Sequence, residues 1–187
     1  MNRRCFLKYS IFSACTMLAV ADEPAANDWL ALWEKHILDE CHNRYCDREL
    51  GEEIGWLVSP FLNGFYYGYR ATRNLKWVER LADWADSWIK RGVKEPDGFV
   101  GWPKSGTGGA SEENFLTDSL LGEAMAFRPV ALMADEIQKD PELKEKFGAR
   151  AAAWLELAGR VFEKWDSRGC WREVEQGGRV GGAGLRH

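Results

Sequence analysis

Ser59-Pro60-Phe61-Leu62-Asn63-Gly64-Phe65-Tyr66-Tyr67-Gly68-Tyr69-Arg70-Ala71-Thr72-Arg73-Asn74-Leu75-Lys76-Trp77-Val78-Glu79-Arg80-Leu81-Ala82-Asp83-Trp84-Ala85-Asp86-Ser87-Trp88 decides the fold. Ser59 ahead of Pro60 is a helix start, a capping hydroxyl followed by a residue whose missing N–H costs nothing in the first turn. The helix it opens runs to about Arg73. Asn74 interrupts the chain, and a second helix follows at once with Trp77, Leu81, Trp84 and Trp88 at helical spacing and Glu79, Asp83, Asp86 and Lys90 on the water side. Gly92 ends it. Two helices joined by so short a turn form an antiparallel hairpin.

The same grammar recurs downstream. Asp140-Pro141 starts a helix carrying Leu143, Phe147, Ala151, Trp154, Ala158, Val161 and Trp165 on one face, with charges elsewhere, as an outer helix should. The helix before it, from about Glu113 to Gln138, is apolar all round, which predicts burial on most sides. Pro129 within it removes the donor for the Met125 carbonyl and should bend it. Upstream, Asn27 or Asp28 caps a first helix with Trp29, Leu32, Trp33, His36 and Ile37 on one stripe, ending near Cys41. His36 is therefore expected to be a packed core histidine. Short turns at Asn74 and Asp140 alternate with long connectors at 42–58 and 93–112, so the long connectors are expected to gather at one end. The fold class is all-α.

The first residues carry a different message. Arg3, Arg4 and Lys8 precede an apolar stretch from Tyr9 to Val20, and Ala19-Val20-Ala21 is a small-residue cleavage site, so 1–21 is expected to be a signal peptide and 22–187 the domain. About a dozen apolar residues are too few for a membrane span, which needs ~20. Arg3-Arg4-Cys5-Phe6-Leu7-Lys8 resembles the bacterial twin-arginine export motif, with Asn2 at the usual hydroxyl position; the resemblance implies a periplasmic or secreted protein. Loss of the leader removes three of the 25 basic residues and none of the 29 acids, leaving a formal charge of −7. Such a charge argues against nucleic acid as a partner. Cys41, Cys46 and Cys170 remain, an odd number, and export would permit a Cys41–Cys46 bridge once the first helix has ended. The spacing of Cys41, His42, Cys46 and Asp47 fits no zinc pattern, and no cofactor or metal is expected.

Ala71-Thr72-Arg73-Asn74-Leu75-Lys76-Trp77-Val78 with Leu81-Ala82-Asp83-Trp84-Ala85 resembles the hairpin turn and outer helix of six-hairpin glycosidase-like proteins. Asp97-Gly98-Phe99-Val100-Gly101-Trp102-Pro103 resembles a sugar-facing loop of that superfamily. The resemblance covers roughly residues 59–169 and implies hairpins forming part of an (α/α) toroid, with polysaccharide lyases, glycoside hydrolases and sugar epimerases as relatives. Six hairpins need far more chain than this, so it implies either the N-terminal part of a longer ring or an open arc completed by a partner chain.

Candidate chemistry follows from helical faces. Asn63, Tyr67 and Arg70 share one face at i, i+4 and i+7, with Tyr66 beside them. An amide and a guanidinium would neutralise a uronate carboxylate and a phenol would shuttle the proton of a β-elimination. Glu123 and Asp118 on the fourth helix are carboxylates for acid catalysis, with Arg128 near Asp118; Glu123 sits on an apolar face, where a carboxylate is either paired or raised in pKa. Trp102 is expected as a sugar-stacking platform and Asp97 as a polar contact, with His42, Glu52 and Glu53 on the other connector within reach of the cleft. The expected function is degradation of a polysaccharide, by elimination or by hydrolysis with two acids from Asp97, Asp118 and Glu123; the alternative is a carbohydrate-binding or interaction module without catalysis.

Overall fold

The computed structural model describes residues 26–103, 119–174 and 177–180. The leader, the glycine-rich 105–110 and Asp118 lie outside them, as does the side chain of Glu52.

Helix α1 (Ala26–Glu40) already contains Asn27 and Asp28, so neither is its cap. Single 3₁₀ turns at Cys41–Asn43, Tyr45–Asp47 and Gly51–Glu53 replace what the sequence presents as an irregular connector, and the short helix α2 (Ile54–Leu57) follows. Helix α3 (Ser59–Thr72) continues from α2, because the Val58 N–H still donates to the Ile54 carbonyl at 3.1 Å. Ser59 therefore does not cap. Its hydroxyl instead donates at 2.9 Å to the Met125 carbonyl, the group that Pro129 leaves without its helical donor.

Arg73 closes α3 in the left-handed region, and Asn74 caps helix α4 (Leu75–Ile89) by accepting from the Lys76 N–H at 3.0 Å. Strands β1 (Val93–Lys94) and β2 (Val100–Gly101) form a small antiparallel hairpin around the Asp97-Gly98 turn. Ser119 caps helix α5 (Leu120–Lys139) through the Gly122 N–H. Asp140 caps helix α6 (Pro141–Ser167) by accepting from Glu142 and Leu143, as its sequence announces. Beyond it β3 (Trp171–Val174) pairs antiparallel with β4 (Gly177–Val180), an element the glycine-rich ending did not foretell. Among the described residues no helix is long and apolar enough to cross a membrane.

Side-chain bonds give the helix directions. Asn63 meets Arg128, while Arg70 and Arg73 meet Glu136, so α3 and α5 run parallel. Glu79 meets Lys146, and Asp86 meets Arg150 and Trp154, so α4 and α6 are parallel too. Each hairpin thus contributes one helix to a front pair, α3 and α5, and one to a back pair, α4 and α6. This arrangement puts the connector before α3, the β1–β2 hairpin and the exit of α6 at a common end, as the alternation of loop lengths predicts. The acidic edge of α4 faces water as expected at Glu79 and Asp83, and Glu79 and Asp86 also bridge to basic residues of α6.

Between the pairs lies an aromatic core. Trp77, Trp84 and Trp88 are fully buried, with Phe61 and Phe65 stacking on the first two and Phe127 and Trp102 on the third. Helix α1 rests on the glycine side of α3: a Cβ on Gly64 would meet Ile37, and one on Gly68 would lie 2.8 Å from Trp77 and 2.9 Å from Trp33. Only Trp33, Ile37 and Leu38 of α1 pack against the core, while Trp29, Leu32 and His36 are exposed. The expectation of a core His36 fails because α1 lies along α3 and the start of α4, where Trp33 packs on Trp77 and Glu34 pairs with Lys76, and His36 falls off that contact line.

Candidate functional site

The residues singled out in the sequence fall into two separate groups. The first is a buried ionic cluster. Glu123 of α5 and Lys164 of α6 are both inaccessible to solvent and pair at 2.7 Å, while the Trp165 indole N–H donates to the other Glu123 oxygen at 2.7 Å. Lys164 also donates to the Val100 carbonyl at 3.0 Å and lies 3.9 Å from Glu95. Arg168 bonds Glu95 at 2.7 Å and Asp97 at 2.7 Å. These bonds fasten the β1–β2 hairpin to the two long helices. Glu123 is thus held in an ion pair, its charge compensated at contact distance. Burial opposes the charge of Asp97, but the Arg168 guanidinium and the Phe99 amide outweigh it and hold that carboxyl below the usual range. Asp97 is accordingly a partner of Arg168 rather than a free polar contact for a ligand.

Trp102 belongs to the same cluster and is 4 % exposed. Its indole N–H donates to the Trp88 carbonyl at 3.1 Å, and its ring packs on Trp88 and Phe127. A ring with both faces and its N–H engaged cannot stack on a sugar, so the expected platform is core instead. Lys164 and Arg168 were missed in the sequence. The available signal was Lys164 itself, set beside Val161 and Trp165 on a face otherwise apolar.

The second group lies on the front of α3 and α5, away from α4 and α6. Asn63 donates through Nδ2 to the Ser59 carbonyl at 2.9 Å and accepts from Arg128 Nη1 at 3.1 Å. Its amide is therefore fixed, and it fixes Arg128. Arg70 donates to the Tyr66 hydroxyl at 3.0 Å and pairs with Glu136 at 3.2 Å, and Arg73 shares that carboxylate at 3.0 Å. Tyr66 is buried, whereas Tyr67, ring to ring with it at 5.1 Å, is 51 % exposed. Asn63, Tyr66, Tyr67 and Arg70 thus share the front of α3 as expected, and Arg128 of α5 joins them through Asn63; its expected neighbour Asp118 lies outside the described residues. Arg128 has no carboxylate partner among the described residues.

A cleft lies elsewhere, between α4 and α6, with a volume of about 710 Å³. Its walls carry charges that satisfy one another: Lys146 with Glu79 at 2.7 Å, Arg150 with Asp86 at 3.1 Å, and Arg44 with both Asp47 and Asp83. The Arg44 guanidinium and the Ser87 hydroxyl pull the Asp47 carboxyl down to about 2. Cys46 beneath it is pushed up to about 12 by burial, and it and Cys41 are both buried thiols, so the Cys41–Cys46 bridge is not formed. None of the expected site residues lines this cleft. His42 is exposed at the end of α1, and Glu53 is part of the turn before α2. The single opening expected for Tyr67, Trp102 and Glu123 is absent: Trp102 and Glu123 meet through Lys164, and Tyr67 stands apart on the front face. Comparison with known proteins finds no matching family model, no matching curated protein and no matching solved structure.

Proposed function

We propose that the chain is a carbohydrate-active protein that takes an acidic saccharide on the α3–α5 face and is fitted to its β-elimination. The observation that carries this reading is Arg128: a guanidinium open to solvent, without a carboxylate partner among the described residues, and oriented by Asn63, which lies one turn of α3 before the exposed phenol of Tyr67. A guanidinium fork matches a uronate carboxylate, and neutralising that carboxylate lowers the cost of the negative charge that builds when the C5 proton leaves. In the elimination the C5–H bond breaks, the C4–C5 double bond forms and the C4–O4 bond breaks. Tyr67 would receive the C5 proton on its phenolic oxygen while giving its own proton to the departing O4. Hydrolysis loses ground, because Glu123 and Asp97 are engaged by Lys164 and Arg168.

The paired helical hairpins suit part of an (α/α) toroid, in which α3 and α5 would line the concave side. The leader motif supports export to the periplasm or beyond. A reading without catalysis, a saccharide-binding module, draws on Tyr67, whose hydroxyl has no hydrogen-bond partner among the described residues and hence no neighbouring base.

Turnover of uronate polymers, followed by the ultraviolet absorbance of the unsaturated product, separates these readings. The expected result is absorbance growth that Tyr67→Phe reduces by about 10²-fold or more, with affinity unchanged. Reducing ends released without absorbance would overturn elimination. Affinity with neither product would leave the binding module.

A further inference from the structure

Of the tryptophans whose side chains the structure describes, most are core or half-buried, and two are exposed: Trp29 at 56 %, on the outer side of α1, and Trp56 at 54 %, on the α3–α5 front. The backbone at Trp56 is not loose. Ile54 and Val58 on either side are buried, and Gly55 crosses Gly122 so closely that a Cβ on Gly55 would lie 3.0 Å from the Gly122 Cα. That glycine contact sets the neighbours of both residues on the same crossing, and Leu121, next to Gly122, is 56 % exposed as well. An indole and an isobutyl group are therefore held open to solvent by a rigid backbone.

The position follows from helical spacing. Because α2 runs into α3, Trp56, Pro60, Asn63, Tyr67 and Arg70 succeed one another at i+4, i+3, i+4 and i+3, a single stripe along the front. Leu121 and Arg128 lie on the matching stripe of α5, one pair of turns apart. At about 1.5 Å per residue, Trp56 stands roughly 16 Å from Tyr67 along the axis. That is the reach of a short oligosaccharide, beyond that of one sugar ring. An amphipathic ring presents an apolar face of C–H bonds, which an open indole receives, while its carboxylate needs a cation.

Resting on the acidic-saccharide reading above, we infer that Trp56, backed by Leu121, is a distal subsite that stacks a sugar ring of a uronate oligomer whose reacting unit lies at Arg128 and Tyr67. The oligomer runs along α3 from Trp56 towards Arg70. Trp56 is then a determinant of chain-length preference, touching neither the scissile bond nor the carboxylate that Arg128 holds.

Calorimetric titration of the full chain with di- and tetrasaccharides of galacturonate and of mannuronate tests this. The tetrasaccharide of the bound series is expected to bind more tightly than its disaccharide, and Trp56→Ala to weaken the tetrasaccharide about tenfold while moving the disaccharide less than about twofold. Trp56→Phe should restore most of the difference, which a folding defect would not, and circular dichroism of each variant checks the helices. Equal loss for both lengths, or none, overturns the distal subsite. If Arg128→Ala abolishes binding while Trp56→Ala changes nothing, the subsite alone fails; if the wild-type chain binds no oligomer, the acidic-saccharide reading fails with it.

Discussion

At the scale of single residues, the strongest constraint is the pair formed by Glu123 and Lys164. Both side chains have left water entirely, and each is tolerable only because the other lies at 2.7 Å with further donors and acceptors around them. Glu123→Gln removes the carboxylate nearest the buried ammonium and is expected to cost about 3–5 kcal/mol in chemical denaturation. Replacing both with methionine should recover much of that loss, since no buried charge is then left alone. An unchanged midpoint for Glu123→Gln would show that the pair is not what fastens the hairpin. Asp47 gives a pH signature. Its carboxyl titrates at about 2 in the folded protein against 3.8 when free, so its contribution is complete above pH 4 and is lost as pH falls towards 2. Asp47→Asn should lower stability at neutral pH, matter little near pH 2, and so flatten that part of the acid-unfolding curve. Glu123 was legible in the sequence as a carboxylate on an apolar face that is either paired or raised in pKa, but its partner was not. Lys164 lies 41 residues away, and nothing local announces that the two meet. Trp102 misled for a related reason: a glycine-flanked aromatic in a connector looks exposed until the Trp88 carbonyl is seen to accept its N–H.

Among elements, the helices were legible wherever proline, caps and a 3.6-residue stripe agreed. Asp140-Pro141 and Asn74 behave as written, and α4 and α6 bury the stripes expected of them. The errors fall where the reading assumed a partner on a face. Helix α1 is packed along one side only, so half its stripe is exposed, and α5 has an open front that includes Leu121, Ala124 and Arg128. The join between α3 and α5 has its own test. Pro129 leaves the Met125 carbonyl without a helical donor, and Ser59, 2 % exposed, supplies one. Ser59→Ala is expected to cost about 1–3 kcal/mol by stranding that carbonyl. In a Pro129→Ala background, where a backbone N–H returns, the same substitution should cost markedly less. Additive losses would mean that the serine and the proline are unconnected. Gly68→Ala, which drives a methyl into the Trp33 and Trp77 rings, should destabilise by about 1–3 kcal/mol, whereas Gly64→Ala meets only the end of the Ile37 side chain and should cost less.

For the whole molecule, the parallel front pair and parallel back pair divide the labour. Charges that pair with one another close the back cleft, and the buried cluster locks the connector end. The front carries Arg70, Arg73 and Arg128 beside Asn63, Tyr67 and Trp56 in a chain of formal net charge −4, a local cationic and aromatic surface on an acidic protein. Half of this face could be read in advance, because Asn63, Tyr67 and Arg70 lie within one helix; Arg128 and Trp56 join it through the α3–α5 packing and the glycine crossing, which spacing within one helix does not reveal. Backbone chemical-shift mapping of the full chain titrated with a uronate tetrasaccharide tests this division most directly. The shifts are expected at Trp56, Asn63, Tyr67 and Arg128, with Asp83, Asp86 and Arg150 of the back cleft unmoved. Shifts confined to the back cleft, or none on the front of α3 and α5, would contradict it.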